Sequence, residues 1–472
     1  MKNLDFSTYL SPFSWRYGSL QMREIWSEIN KRKLWRKMWV ELARAQHKMG
    51  IVSKKELDDI ISHQNNIDIE RAHEIEKEIY HDVMAEIKTY AEQCKVGGGK
   101  IHCGATSTDI IDNAEILQIK QALELTKKRL IELLKNFCGK IEKYHNKICM
   151  GYTHLQPAEP TTLGYRLSLY AQDLFWDLKY IEKIEEFIKG KGIKGAVGTA
   201  ASYDRLLKNT KYTAFDLEQE IMDSLKLEAV DVSSQTYPRK IDWFVMVALC
   251  NIAQSLHKFN FDLRLMQSPN FGEWSEPRNA KRVGSSAMPF KKNPDKAEKV
   301  CSLARYVSSL LNVSWSNGAL SLLERTLDDS ANRRVFFPEG FLAIDECLIT
   351  TNNLVKDLMI FDNVIEKNLE KYGIFSATES LMMEMVKKGA NRQETHELIR
   401  ELSLSAWSEI QEGKSNPLKD LLINNHDIKK YLKKEEIEKL LDTRSHIGNA
   451  SQRSLHLAKT IKNFRRLADK KL

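Results

Sequence analysis

The chain has 472 residues, 42% of them hydrophobic, and a formal net charge of +8 from 72 basic and 64 acidic side chains. That length exceeds what one ordinary core supports and predicts about three domains. The longest uninterrupted apolar run, Trp243 to Cys250, is too short to span a bilayer. The first residues open no apolar signal region, so the protein is expected in the cytoplasm with no membrane partner. Seven cysteines, an odd number without a Cys-x-x-Cys pair, argue against a disulfide framework and a cysteine-based zinc site. They read as reduced, small apolar residues. An anionic small substrate explains the mild basic excess as well as nucleic acid does. No compact basic, aromatic-interleaved motif supports nucleic-acid binding.

Asp5 to Tyr17 reads as irregular and aromatic, closed by Arg16-Tyr17-Gly18-Ser19. From Glu24, apolar residues at Ile25, Ile29, Leu34, Met38, Leu42 and Met49 predict a helix ending at Gly50. Two shorter helices follow, the last over Glu76 to Cys94, with His81 and Asp82 inside it. Adjacent helix residues point about 100° apart, so this pair need not touch, and a structural histidine is the ordinary reading. After a glycine break at 97–99 come Thr106, Ser107 and Thr108, good N-cap residues, then Asp109, whose charge suits a first helical turn. The same amides and hydroxyls are suited to a carboxylate or phosphate.

Leu123, Leu130, Leu134, Phe137, Ile141, Tyr144 and Ile148 form a bundle seam on the long helix that follows. It ends at a proline-rich loop, Gly151 to Gly164, which displays Thr153 and His154. A second long helix carries Leu167, Leu174, Leu178, Ile181 and Ile188 on one face. Gly190-Lys191-Gly192-Ile193-Lys194-Gly195 matches Gly-x-Gly-x-x-Gly, but a charged helix precedes it where a dinucleotide site needs a strand. Ser233 to Arg239, including Gln235, leads into a third long helix from Asp242 to about Met266.

Gly284-Ser285-Ser286-Ala287-Met288-Pro289-Phe290-Lys291-Lys292-Asn293-Pro294 cannot easily be helical, because each proline lacks a donor and restrains the residue before it. It is a loop with paired hydroxyls at one end and two ammoniums and an amide at the other. A fourth helix starts near Asp295, with Glu298 in its first turn. Glu324 to Arg334 alternates charge and holds three arginines, Arg325, Arg333 and Arg334, with Ser330, and guanidinium groups suit bidentate phosphate contact. A fifth helix is expected from Phe341 to about Leu358. Further helices are expected near Ser376 to Lys388 and Arg392 to Glu412, and Lys429 to Lys434 reads as a solvated helical face.

The Gly284 to Pro294 loop resembles the signature of the fumarase/aspartase superfamily. His81 to Ala85, Gly104 to Ser107, Thr153 to Ala158, Gln235 to Lys240 and Glu324 to Arg334 are similar to the adenylosuccinate lyase family, the last segment most to its animal members. The resemblance runs from about Arg16 to Ser451. It implies an all-α protein with domains at 1–110, 111–361 and 362–472. The middle domain would supply five long helices to a homotetramer with a twenty-helix core and shared active sites. The implied reaction releases fumarate from a nucleotide substrate, with no metal and no cofactor.

Carried over by position, Ser285 is the general base and His154 the general acid, with Glu298 tuning the histidine. Lys291 and Asn293 hold the succinyl carboxylates and the developing charge, helped by Thr106 and Ser107. His81 lies near the leaving side or the phosphate. Arg16, Tyr17, Arg325, Ser330 and Arg334 hold phosphate and ribose, with Gln235 nearby. Asp82 and Thr153 complete the substrate-binding set. Tyr80 stands where related enzymes commonly carry a basic residue, and Lys299 where the animal-type enzymes have arginine. Argininosuccinate lyase, whose loop also reads Lys-Lys-Asn-Pro-Asp, and a non-catalytic structural relative are the competing readings.

Overall fold

The structure is a computed structural model that describes residues 6–277 and 284–468, the last four by backbone alone. It is all-α apart from two short two-stranded sheets. The chain divides into two compact units, one of residues up to 130, 177–254 and 302–349, the other of 131–176, 255–301 and the remainder from 350. The elements in the first segment are α1 (Leu20–Ile25), α2 (Glu28–Lys48), α3 (Lys54–His63), α4 (Ile69–Ile79) and α5 (Asp82–Gln93). Then come α6 (Ser107–Tyr144), the hairpin β1 (Ile148–Thr153) and β2 (Gln156–Thr162), α7 (Leu163–Glu185), α8 (Ala201–Leu207), α9 (Ala214–Leu225) and α10 (Lys240–Gln267). The chain continues through β3 (Trp274–Ser275), α11 (Asp295–Ala319), α12 (Asp328–Lys356) and β4 (Met359–Ile360). It ends with α13 (Asp362–Lys387), α14 (Arg392–Gln411), α15 (Leu418–Asn424), α16 (His426–Lys429), α17 (Lys434–Leu440) and α18 (Ala450–Ala468).

Five of these, α6, α7, α10, α11 and α12, run 38, 23, 28, 25 and 29 residues. Each has residues in both units. The expected seam on α6 is present: Leu123, Leu130, Leu134, Phe137 and Ile141 are all buried. In the second unit Phe137, Tyr170 and Phe259 pack ring to ring, joining α6, α7 and α10. A separate apolar cluster, with Leu381, Met385, Leu418, Leu422, Ile428 and Ile437 at its centre, holds α13 to α17 together.

Local chemistry moves several boundaries from their sequence positions. The first helix is broken at Ser27, whose hydroxyl accepts from Asn30 N and starts α2 afresh. The helix expected over Glu76 to Cys94 is two helices. Tyr80 turns into the left-handed region with φ 54°, and His81 caps the start of α5. Ile148 belongs to β1, not to the α6 seam. The fifth long helix starts at Asp328 and passes through Pro338, so Ser330 and Arg334 are helical residues. Pro338 costs one intrahelical donor, which the periodic burial of Phe337, Phe341 and Ile344 offsets. Lys429 to Lys434 is not one helical face: α16 ends at Lys429, Leu432 is buried, and Lys433 precedes α17.

In the first unit α2 and α5 are locked by one buried carboxylate. Glu86 accepts from Arg32 Nη1 at 2.6 Å and Arg36 Nε at 2.7 Å, and Arg36 stacks 4.3 Å from the Tyr90 ring. Removing one partner of such a set leaves an uncompensated buried charge. Glu86→Ala is expected to cost about 3–5 kcal/mol of unfolding free energy, read as a lowered midpoint in denaturant titration. A loss well under that would show the two guanidiniums satisfied without it.

Candidate active site

The first unit contains a cavity of about 610 Å³. It is walled by the α4–α5 junction, the start of α6, the segment around Gln235 and the start of α12. Each wall is shaped by backbone chemistry. His81 Nδ1 accepts from Met84 N at 3.2 Å as the α5 cap, which leaves Nε2 for another partner. Asp82 Oδ2 accepts from Arg334 Nη2 at 2.8 Å, joining the α5 wall to the α12 wall. Thr106 donates its amide to Asp109 Oδ2 at 3.0 Å, which fixes the turn that presents Thr106 and Ser107. Gln235 is clamped by its backbone: its N–H donates to Glu324 O at 3.0 Å, and Thr108 Oγ1 donates to its carbonyl at 2.6 Å.

The wall itself carries a charge network that joins α6, the start of α10 and the start of α12, with Asp112, Glu115, Arg239, Arg325 and Arg333 lining the cavity. Arg239 donates to Asp329 at 2.7 Å and Asp112 at 3.1 Å. Asp329 in turn accepts from Arg325 Nη1 at 2.8 Å. Arg333 donates to Asp242 at 2.7 Å and Glu115 at 2.6 Å, and it also contacts Tyr237 Oη. Burial works against the Asp329 carboxylate, yet Arg239 and Arg325 hold it below its usual range. Burial pushes the Glu115 carboxyl above its usual range, against the pull of Arg333 and Arg239.

The candidates in the second unit sit on the β1–β2 hairpin, the 284–294 loop and the start of α11. Thr153 pairs with Gln156, so His154 and Leu155 are the two central residues of a tight hairpin, with φ 53° and 60°. Both central residues lie in the left-handed region, which is the type I′ pattern and usually belongs to Asn-Gly. The hairpin therefore holds an exposed histidine in a strained turn, and such strain concentrates at functional positions. In the signature loop, Ser285 Oγ accepts from Met288 N at 3.0 Å and Ala287 N at 3.3 Å. Two amides thus already face the oxygen that would carry negative charge as a base. Asn293 donates to Gly284 O at 2.9 Å. A Cβ on Gly284 would fall 2.2 Å from Lys291 O, so this close approach requires glycine. Gln267 clasps both sides of the loop, accepting from Glu276 N and donating to Lys292 O, each at 2.9 Å. Glu298 faces Arg264 at 3.8 Å.

The cavity thus gathers His81, Asp82, Thr106, Ser107, Gln235, Arg325, Ser330 and Arg334. Arg16 and Tyr17 are not in its wall; Arg16 lies over the Trp15 and Tyr17 rings at 5.7 and 5.9 Å. Among the described residues no hydrogen bond joins His154 to Ser285 or Glu298. Sequence reasoning did not assign Asp112, Glu115 or Arg239, and it grouped Arg333 with the phosphate-suited arginines, whereas the structure pairs it with Asp242 and Glu115. The signal was present: Asp109, Asp112 and Glu115 recur at three-residue spacing on one face of a helix start. Among the described residues no group of three or more His, Cys, Asp or Glu side chains is placed to hold a metal ion. No described helix is long and apolar enough to cross a membrane.

The long helices and the signature loop define the class, a lyase. The family profile described as Lyase matches residues 18–308. A crystal structure of a fumarate lyase from Mesorhizobium sp. BNC1 shares the fold, with a TM-score of 0.82 at 22% identity over 96% of this chain and 99% of its own. A second profile, Adenylosuccinate lyase C-terminus, matches residues 375–453. The adenylosuccinate lyase of Schistosoma mansoni is 38% identical over 89% of this chain and 88% of its own length. That of Saccharomyces cerevisiae is 36% identical over 95% and 93%. The chain belongs to the adenylosuccinate lyase family.

One histidine close to the site titrates outside its ordinary range. Trp39 Nε1 donates to His102 Nδ1 at 3.0 Å, so Nε2 carries the ring proton. Burial pushes His102 down to about 4, with Asp109 pulling the other way. The unfolded ring titrates near 6.5, so between the two values the unfolded state binds more protons. Stability is therefore expected to fall as pH drops from about 6.5 to about 4. His102→Gln should remove up to one proton from that slope, measured by urea unfolding across the window. An identical slope in the variant would dismiss the assignment.

Proposed function

We propose that the chain cleaves adenylosuccinate to fumarate and AMP, and the succinylated aminoimidazole carboxamide ribotide to fumarate and its carboxamide, in purine biosynthesis. The observation that carries this reading is the cavity. Hydroxyls at a helix start, a capping histidine and, among its four arginines, Arg325 and Arg334 meet there from segments more than 200 residues apart. Thr106 and Ser107 bind a succinyl carboxylate, while Arg325, Ser330 and Arg334 take the phosphate and ribose, with Arg16, Tyr17, Asp82, Thr153 and Gln235 completing the contacts. Argininosuccinate carries no phosphate, so Arg325 and Arg334 in this wall favour the nucleotide.

The chemistry is a proton-transfer elimination. Ser285, as alkoxide, removes the proton beside a succinyl carboxylate. Its charge is supported by the amides of Ala287 and Met288, which already donate to Oγ. The electron pair is held as an enediolate-like dianion, where Lys291 and Asn293 supply cation and donor. Collapse forms the carbon–carbon double bond and breaks the carbon–nitrogen bond. His154 delivers the proton to the departing nitrogen, with Glu298 tuning it and His81 on the leaving side. No metal or organic cofactor takes part in this scheme. We further propose a cytoplasmic homotetramer with a twenty-helix core and shared sites, built from domains at 1–110, 111–361 and 362–472.

The first test is fumarate release from adenylosuccinate and, separately, from argininosuccinate. Release from adenylosuccinate alone is expected, and release from argininosuccinate alone overturns the substrate assignment. Ser285→Ala and His154→Ala should each lower turnover by at least ~100-fold, and a wild-type rate in either removes that residue from the mechanism. Arg334→Ala should raise KM for adenylosuccinate about 10-fold or more, the size of a lost charge-assisted contact. An unchanged KM would end the phosphate assignment.

A further inference from the structure

The Gly190 to Gly195 turn has no part in the scheme above, yet it holds a fully buried ion pair against the cavity wall. Lys191 Nζ donates to Asp109 Oδ1 at 2.5 Å, Gly195 O at 2.8 Å and Thr108 Oγ1 at 3.3 Å. Both members of the pair are completely buried. The Asp109 carboxylate accepts from three donors besides Lys191: Gly195 N at 3.1 Å, Tyr203 Oη at 3.0 Å and Thr106 N at 3.0 Å. Thr108 carries the network onward to the Gln235 carbonyl at 2.6 Å. Lys191 itself does not line the cavity, whereas Thr106, Ser107, Thr108 and Gln235 do.

The turn is braced so that the ammonium has one position. Gly192 has φ 82°, and a Cβ there would fall 2.2 Å from Glu218 Oε2, so only glycine fits. Asn113 accepts from Gly192 N at 3.0 Å and donates to its carbonyl at 2.9 Å. Lys194 Nζ reaches both Glu218 oxygens at 2.6 Å.

Two consequences bear on the wall. Asp109 lies in the first turn of α6, where its charge alone would oppose both the positive field of the helix start and an incoming carboxylate. Lys191 neutralises that charge from behind without entering the cavity. The same carboxylate pins the Thr106 amide, so the ammonium, the carboxylate and the hydroxyl-bearing turn form one rigid unit.

We propose that Lys191 and Asp109 are a positioning pair that sets the geometry and charge of the substrate-carboxylate site at Thr106 and Ser107; this rests on the function proposed above. The turn that resembles a nucleotide-binding motif thus serves the acid side of the substrate, through a lysine.

The test is calorimetric titration of the full-length wild type, Lys191→Met and Tyr203→Phe with fumarate and with AMP, alongside circular dichroism. Lys191→Met should weaken fumarate binding on the order of tenfold or more, the effect of an uncompensated nearby charge. AMP binding should change less than about twofold, because the phosphate grip is on Arg325 and the start of α12, away from the pair. Tyr203→Phe keeps the ring packing and removes one donor to Asp109, and should weaken fumarate about threefold. If Lys191→Met does not fold, Tyr203→Phe decides by the same split between ligands. Unchanged fumarate binding in a folded variant, or equal weakening of both ligands, overturns the proposal, since a purely structural pair would not separate them. Failure of wild-type protein to release fumarate from adenylosuccinate is a distinct result and refutes the proposed function instead.

Discussion

The cavity wall depends on two guanidinium groups held out of water. Arg239 and Arg333 are buried and divide Asp112, Glu115, Asp242 and Asp329 between them, with Tyr237 against both. Desolvating such charges is costly, and apolar residues of similar volume would often serve stability as well. What ionic groups add is direction. Each guanidinium has fixed donor vectors, so the rotation of α6, α10 and α12 is set wherever those vectors find carboxylates. Asp329 passes that order outward, since it faces Arg239 with one oxygen and Arg325 with the other. Arg325, in the cavity wall, is thereby aimed by a buried arginine.

The same logic recurs in the second unit with different chemistry. Arg166 donates to Glu273 at 3.1 Å and contacts the Met150 carbonyl, tying the hairpin to the segment that precedes the signature loop. Asn368 reaches the other Glu273 oxygen at 3.0 Å. Gln267 then secures the loop from both sides with a neutral amide. The candidate groups His154 and Ser285 sit on short, strained or glycine-dependent backbone, while the residues that brace those segments sit on long helices. Rigid support for a precise loop is what proton transfer over hydrogen-bond distances requires.

The candidate site was legible where chemistry lies in contiguous residues. Prolines and glycine marked the 284–294 loop as non-helical, and Thr106 to Asp109 read as a helix start, which it is. Arg325, Ser330 and Arg334 were legible as a group, but not the helical setting of Ser330 and Arg334, because Pro338 reads as a boundary while tertiary burial carries the helix through it. His81 looked like a mid-helix residue because the backbone reversal at Tyr80 leaves no glycine to announce it. His154 was placed in a loop because prolines at 157 and 160 are poor strand residues, yet they sit in a lone two-stranded ribbon where a missing donor costs little.

Alone, the sequence determined the helical class, the seam of α6 and the loop motifs, since periodicity, caps and proline restraints act over a few residues and survive in any tertiary setting. It also carried the family, because the motifs keep their order along the chain. Only the tertiary structure decided which charges are buried partners and which are free to meet a ligand. Lys191 and Arg334 both lie among other cations in polar segments of the sequence, yet one is sealed against Asp109 while the other, paired with Asp82, stands exposed at the cavity. The difference is desolvation, which depends on everything packed around a group and so is written in no single stretch of the chain.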